Sequence, residues 1–152
     1  MTIDEIVERE VLGEAGRACN LLVERVRGRV AALTPQSAVE LSQFAGAALE
    51  AYYDTLLRVL MAAASRRAAR DADNWVRQQF HAGLDRAGTA LREAVADSPH
   101  RHTVAQKLQQ KMFEGEVSLR RALTARFATD EAEAVPAATT SRGRTRQRKA
   151  AG

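Results

Sequence analysis

Few residues of this 152-residue sequence combine the types and spacing that catalysis or metal binding needs. The histidines are His81, His100 and His102, and none of them forms the Glu-x-x-His pair that holds a di-iron centre in a helical bundle. The single cysteine, Cys19, cannot supply a paired zinc site or an internal disulfide. The sequence also lacks a glycine-rich phosphate loop and a Gly-x-Ser-x-Gly nucleophile motif. We therefore expect a non-enzymatic protein that uses no cofactor and no metal.

Two small clusters allow a chemical and a structural interpretation. The segment 97–102 brings together an aspartate and two histidines that could bind a metal, but a Ser-Pro turn with solvated histidines explains it better. Glu50 and Asp54 could form an acid/base or metal pair. Arg58 follows Asp54 by four residues, however, so a solvated ladder of ion pairs along one helix is the alternative. The structural interpretation is favoured in both cases.

The C-terminal residues form a basic tail. From Pro136 onwards there is no acidic residue, so the tail carries +5 and the preceding chain carries −1 of the net charge of +4. The tail has no aromatic side chain to stack on bases and no apolar period, which predicts disorder. Such a tail is expected to bind a polyanion such as nucleic acid without recognising a base sequence. The alternative is that the tail only increases solubility. The five predicted polyanion-binding residues are Arg142, Arg144, Arg146, Arg148 and Lys149.

Composition and proline positions predict an all-α fold. Alanine is the most frequent residue and aromatic residues make up only 5% of the chain, which favours long helices around a thin core. The three prolines, Pro35, Pro99 and Pro136, lie outside the apolar helical periods, as expected at element boundaries. We predict a helical domain over residues 1–130, followed by a disordered linker and tail over residues 131–152.

Three helical stretches are predicted within that domain. The first runs from Ile3 to Leu33 and carries one apolar stripe that includes Cys19. The second begins after Thr34 as N-cap with Pro35 as its first residue, and the third begins with a capping box at Thr103 and ends near Ala128.

The length of the second helix is left open. It either continues to Asp97 or breaks at residues 71–74, where aspartates and an asparagine could cap a new helix. Without the break the chain is an elongated three-helix bundle or rod, and with it an antiparallel four-helix bundle.

The segment from Ala38 to Ala64 is apolar around most of its circumference. Nineteen of its 27 residues are apolar, more than the face of roughly 100° that a surface helix buries. Glu50, Asp54 and Arg58 argue against a membrane span, since each charge is costly inside a bilayer. The segment is therefore either the central helix of a bundle or oligomer, or a surface that covers an apolar partner. The candidate interface residues are Leu41, Phe44, Leu49, Tyr52, Tyr53, Leu56, Leu57, Leu60 and Met61.

The stretch from Ala38 to Asp54, and the alanine-rich helix after it, resemble the phasins, which coat polyhydroxyalkanoate granules in bacteria. The likeness extends over roughly residues 35–130 and lies in long amphipathic helices, few aromatic residues and a detachable basic tail. It implies a helical coat protein that adsorbs to an apolar inclusion, and some phasin-like proteins use such a tail to tether granules to the nucleoid.

These observations give three functional hypotheses. The first is a phasin-like coat of a granule or lipid surface, which forms homo-oligomers through the Ala38–Ala64 helix and lightly binds DNA through the tail. The second is a nucleic-acid-associated helical protein, and the third is an assembly adaptor or cargo-binding bundle. The first residues, Met-Thr-Ile-Asp-Glu, do not resemble a signal peptide, so we expect a cytoplasmic protein.

Overall fold

The computed structural model describes residues 3–32 and 37–134, which fold into four α-helices with no strand among them. The prediction of an all-α fold is thus confirmed. None of these helices, within the described part of the chain, is long and apolar enough to cross a membrane. The helices are α1 (Ile3–Val30), α2 (Ala38–Ala64), α3 (Ala69–Ala94) and α4 (Arg101–Ala134).

Helix α2 contacts each of the other three helices. It packs against α1 and α3, and its Gly46 and Tyr53 lie against α4 at Lys107 and Gly115. The order of these contacts along the chain shows that α2 and α4 run parallel to each other. Gly88 and His81 of α3 meet residues 112 and 116 of α4, which makes α3 and α4 antiparallel. The result is a four-helix bundle.

Apolar side chains from all four helices form the core, but not equally. Tyr53 and Phe80 meet edge to face at 6.4 Å between ring centroids, a favoured aromatic geometry, where α2 packs on α3. The large side chains with less than 2% exposure come mainly from α2, α3 and α4, and α1 contributes only Val26 to this group. Among residues 3–119 the others include Leu49, Leu56, Leu60, Val76, Phe80, Leu84, Leu91, Val95, Val104, Leu108 and Leu119.

Helix α2 begins three residues later than predicted. Its N-cap is Ser37, not Thr34, and Ser37 and Glu40 form a complete capping box. The Glu40 backbone N–H donates to the Ser37 hydroxyl at 3.0 Å, and the Ser37 N–H donates to the Glu40 carboxylate at 3.0 Å. The two bonds satisfy helix-end donors that Thr34-Pro35 could satisfy less completely, because no acid follows Thr34 by three residues. The hydrogen bond from the Ser37 backbone N–H also lowers the pKa of the Glu40 carboxyl group.

The alternative in which the second helix continues to Asp97 is wrong, because the chain breaks between α2 and α3. The break comes at residues 65–68, before the predicted position at 71–74. The Ser65 hydroxyl donates to the Ala62 carbonyl at 2.8 Å and closes the last turn of α2. Ala68 is the N-cap of α3 and offers no side-chain hydrogen bond. Asp71 lies in the first turn of α3, where its charge complements the helix dipole without serving as a cap.

Helix α4 is longer at both ends than predicted. It starts at Arg101, so Thr103 lies inside its first turn and not at its N-cap. The turn before it is held by Ser98, whose hydroxyl accepts a hydrogen bond from the His100 backbone N–H at 3.1 Å. The helix extends to Ala134, into the part predicted as irregular linker, and Pro136 follows two residues later as a helix-breaking residue. The chain divides into two units, Met1–Leu119 and Arg120–Gly152.

Candidate functional site

The nine apolar residues singled out on α2 divide between the bundle interior and its surface. Six of them are buried within this chain, and Phe44, Leu57 and Met61 are half-buried. Phe44 is covered on one face by the Arg29 guanidinium, whose central carbon lies 4.2 Å from the ring centroid. An interface with another molecule through the buried positions therefore needs another helix to move away. The buried six are Leu41, Leu49, Tyr52, Tyr53, Leu56 and Leu60.

Helix α1 covers one side of α2 with small side chains. Its buried apolar residues are Ala15, Cys19, Val23 and Val26, which contain fewer carbon atoms than the leucines and phenylalanine of α3. Full burial of a large apolar side chain stabilises the folded state by about 1.5 to 3 kcal/mol, and valine lies at the low end of that range. Alanine contributes less. Among its described residues, helix α1 therefore contributes no fully buried leucine or phenylalanine to the core.

Helix α1 also carries large apolar residues that are exposed. Ile6 is 48% exposed and Leu21 is 56% exposed, and Leu12 lies at 38%. Scattered apolar residues are common on protein surfaces, but three of the five large exposed ones in the described residues belong to this one helix. Helix α1 thus presents small apolar groups inward, and Ile6 and Leu21 lie on its opposite side.

Glu50 of α2 forms its ion pair with α4 and not with a neighbouring residue of α2. Lys111 Nζ donates to Glu50 Oε1 at 2.6 Å and to Glu114 Oε1 at 3.1 Å. The predicted ladder along α2 is wrong in this detail, because Arg58 instead donates to the Thr55 hydroxyl at 3.4 Å. The sequence offered no local signal for a contact between residues 61 positions apart. These bonds fasten α4 to the side of α2 that faces solvent.

His81 and Cys19 have structural roles in the described part of the chain. His81 Nε2 lies 2.6 Å from Glu116 Oε2 and joins α3 to α4, a contact that sequence reasoning missed. Cys19 is buried, as its position on the apolar stripe predicts, and burial raises the pKa of its thiol. Residues 97–102 do not form a metal cluster: within the described residues, no group of three or more His, Cys, Asp or Glu side chains is placed to hold a metal ion.

The predicted polyanion-binding residues lie outside the described residues. These are Arg142, Arg144, Arg146, Arg148 and Lys149. The binding of nucleic acid by the tail therefore stays a prediction from charge alone.

Comparison of this chain with protein families, with curated proteins and with solved structures finds no match.

Proposed function

We propose that this chain is a non-enzymatic coat protein of an apolar inclusion, such as a polymer granule or a lipid droplet in the cytoplasm, in the manner of the phasins. One observation carries the proposal: α1 closes the apolar side of α2 with small side chains and keeps Ile6 and Leu21 exposed. The helix that covers α2 with small side chains therefore already carries groups that would enter an apolar surface first.

The proposed mechanism is opening of the bundle at α1. On contact with an apolar particle, Ile6 and Leu21 insert, and α1 separates from α2 as the particle replaces the contacts of Val23 and Val26. The apolar side of α2 then meets the particle, and the charged side that Lys111 ties to α4 stays in water. Adsorption removes apolar surface from water on both partners, which is the driving force for such coats.

The experiment measures binding of the full chain to polyhydroxybutyrate particles and to triglyceride droplets by co-sedimentation. The test variant combines Ile6→Glu and Leu21→Glu, and the matched control is Phe113→Glu on α4, where the phenylalanine is 65% exposed. All three positions are exposed, so each substitution should change the free energy of unfolding by less than about 0.5 kcal/mol. We expect at least tenfold weaker binding for the α1 variant, since each lost apolar side chain removes about 1.5 kcal/mol or more.

Hydrogen exchange on the bound particles tests the opening. Amides of α1 are expected to exchange faster in the bound protein than in the free protein, while those of α3 and α4 keep their protection. The coat function is excluded if the folded wild-type chain binds neither kind of particle, or if Phe113→Glu weakens binding as much as the α1 variant. Binding with unchanged exchange in α1 would contradict the opening mechanism.

The other two functional hypotheses require different parts of the protein. A nucleic-acid-associated protein needs the tail, whereas the coat does not, so deletion of residues 136–152 should leave particle binding intact. An adaptor bundle needs a closed fold in which α1 stays in place when cargo binds. Homo-oligomerisation through α2 also requires another helix to move away, because the predicted interface is largely buried in the single chain.

A further inference from the structure

A cleft of about 420 Å³ opens between α1, α2 and α3. Leu12 of α1 and Leu56 of α2 form part of its apolar wall, and Arg9, Gln79 and Arg86 bring polar groups to it. Its volume falls in the range of small-molecule sites, about 300 to 1,000 Å³, and its mixture of apolar walls with a few polar groups is typical of them.

A buried hydroxyl without a partner lies at the floor of this cleft. Tyr52 lines the cleft and is only 2% exposed, and its hydroxyl has no hydrogen-bond partner among the described residues. The oxygen lies against Gly83, where an added Cβ would come within 2.8 Å of it. A buried hydroxyl left unpaired destabilises the fold, so a bound acceptor would recover stabilisation that the protein alone lacks.

Two guanidinium groups give the cleft a positive potential. Arg9 comes from α1 and Arg86 from α3, and neither forms an ion pair within the part of the chain that the structure describes. The Arg86 charge acts on the floor as well, because it opposes the rise that burial causes in the pKa of Tyr52 and of Cys19. Guanidinium groups bind carboxylates with paired, charge-assisted hydrogen bonds.

We propose that the cleft binds one small amphiphilic carboxylate. The carboxylate accepts hydrogen bonds from Arg9, Arg86 and the Tyr52 hydroxyl, and a short aliphatic chain lies along Leu12 and Leu56. A carboxylate suits the site better than a free phosphate because the apolar wall would gain nothing from a wholly polar ion. The lining comes from α1, α2 and α3 together, so the site is a property of the closed bundle and does not depend on the coat function.

Isothermal titration calorimetry of the full chain with octanoate tests the site. We expect one bound octanoate per chain, with 1-octanol and inorganic phosphate at least tenfold weaker because each lacks one half of the ligand. Arg9→Gln and Arg86→Gln should each weaken octanoate about tenfold, since a charge-assisted hydrogen bond contributes about 1.5 kcal/mol or more. Arg70→Gln, an exposed arginine of α3 that does not line the cleft, is the matched control and should leave the affinity unchanged.

Tyr52→Phe separates a binding role from a structural one. The substitution removes a hydroxyl that has no partner in the protein, so the free energy of unfolding in urea should stay the same or rise, while octanoate affinity falls several-fold. Circular dichroism establishes that each variant is folded. The proposal is overturned if octanoate does not bind, if 1-octanol or phosphate binds as tightly, if Arg70→Gln matches Arg86→Gln, or if Tyr52→Phe keeps full affinity.

Discussion

At the scale of single residues, the close approach of the helices depends on glycines. An added Cβ at Gly83 would lie 2.7 Å from a Leu56 methyl carbon and 2.8 Å from the Tyr52 hydroxyl. At Gly16, in contrast, nothing lies within 4 Å of the same added atom. Both glycines are helical, so alanine would improve the local helix propensity at either position and only the surroundings differ.

Gly83→Ala and Gly16→Ala should therefore change stability in opposite directions. We expect Gly83→Ala to lower the free energy of unfolding by about 1 to 3 kcal/mol, because overpacking outweighs the propensity gain. Gly16→Ala should raise it by up to about 1 kcal/mol. Urea denaturation followed by circular dichroism measures both changes. A stabilised Gly83→Ala variant would mean that α2 and α3 are packed less closely than the structure has them.

At the scale of elements, the sequence predicts the kind of structure better than its boundaries. The apolar period and the alanine content suffice to predict an all-α fold, but they leave the number of helices at three or four. Helix ends depend on competition between neighbouring caps, and Ser37 outcompetes Thr34 because Glu40 completes its capping box. This signal was present in the sequence as Ser37-x-x-Glu40. The break at Ser65–Ala68 carries neither glycine nor proline, so local sequence alone does not reveal it.

The candidate site was only partly predictable for a related reason. A nearly all-round apolar α2 indicates that something covers it, but not whether the cover is this chain, another copy or a surface. Which residues face α1 depends on how the helices pack, a long-range outcome that local periods do not contain. The cleft could not be predicted from the sequence for the same reason. Arg9, Tyr52 and Arg86 are distant in sequence, and only the packing of the helices brings them together.

The fastening of α4 to α2 is expected to weaken in alkaline solution. Hydrogen bonds to Glu50 and then to Glu114 raise the pKa of Lys111 above its ordinary value of 10.5. Because the pKa of Lys111 is higher in the folded than in the unfolded state, the stabilisation from its ion pairs is fully present below about pH 10.5. It is lost as the pH rises through the pKa of Lys111 in the folded state. Glu50 is 46% exposed, so the interaction should contribute no more than about 1 kcal/mol.

A double-mutant cycle of Glu50→Gln and Lys111→Gln measures this contribution by urea denaturation at pH 7 and at pH values above 10.5. We expect a coupling free energy of about 0.2 to 1 kcal/mol at pH 7 that shrinks at the higher values. The parallel cycle of Asp73→Asn and Arg77→Gln, an ion pair within α3, serves as control, because an arginine keeps its charge throughout. Equal loss of coupling in both cycles would show general alkaline unfolding and contradict the assignment to Lys111.

At the scale of the whole molecule, charge is divided unevenly along the chain. Residues 1–135 carry a net −1 and residues 136–152 carry +5. A body near neutrality is not repelled strongly by either an apolar inclusion or a polyanion. The tail supplies all of the net positive charge, so attraction to nucleic acid should be a property of the tail and adsorption to inclusions a property of the helices.

The two activities should therefore separate in one variant. Replacing Arg142, Arg144, Arg146, Arg148 and Lys149 by glutamine should abolish binding to duplex DNA in fluorescence anisotropy and leave co-sedimentation with polyhydroxybutyrate particles unchanged. For the wild-type chain, the logarithm of the DNA association constant should fall with the logarithm of salt concentration, with a slope no steeper than about −4.5 for five phosphates neutralised. A steeper slope would require cations of the helices to bind DNA as well. Because the described helices carry many arginines among their acids, that result would favour a nucleic-acid-associated protein over an inclusion coat.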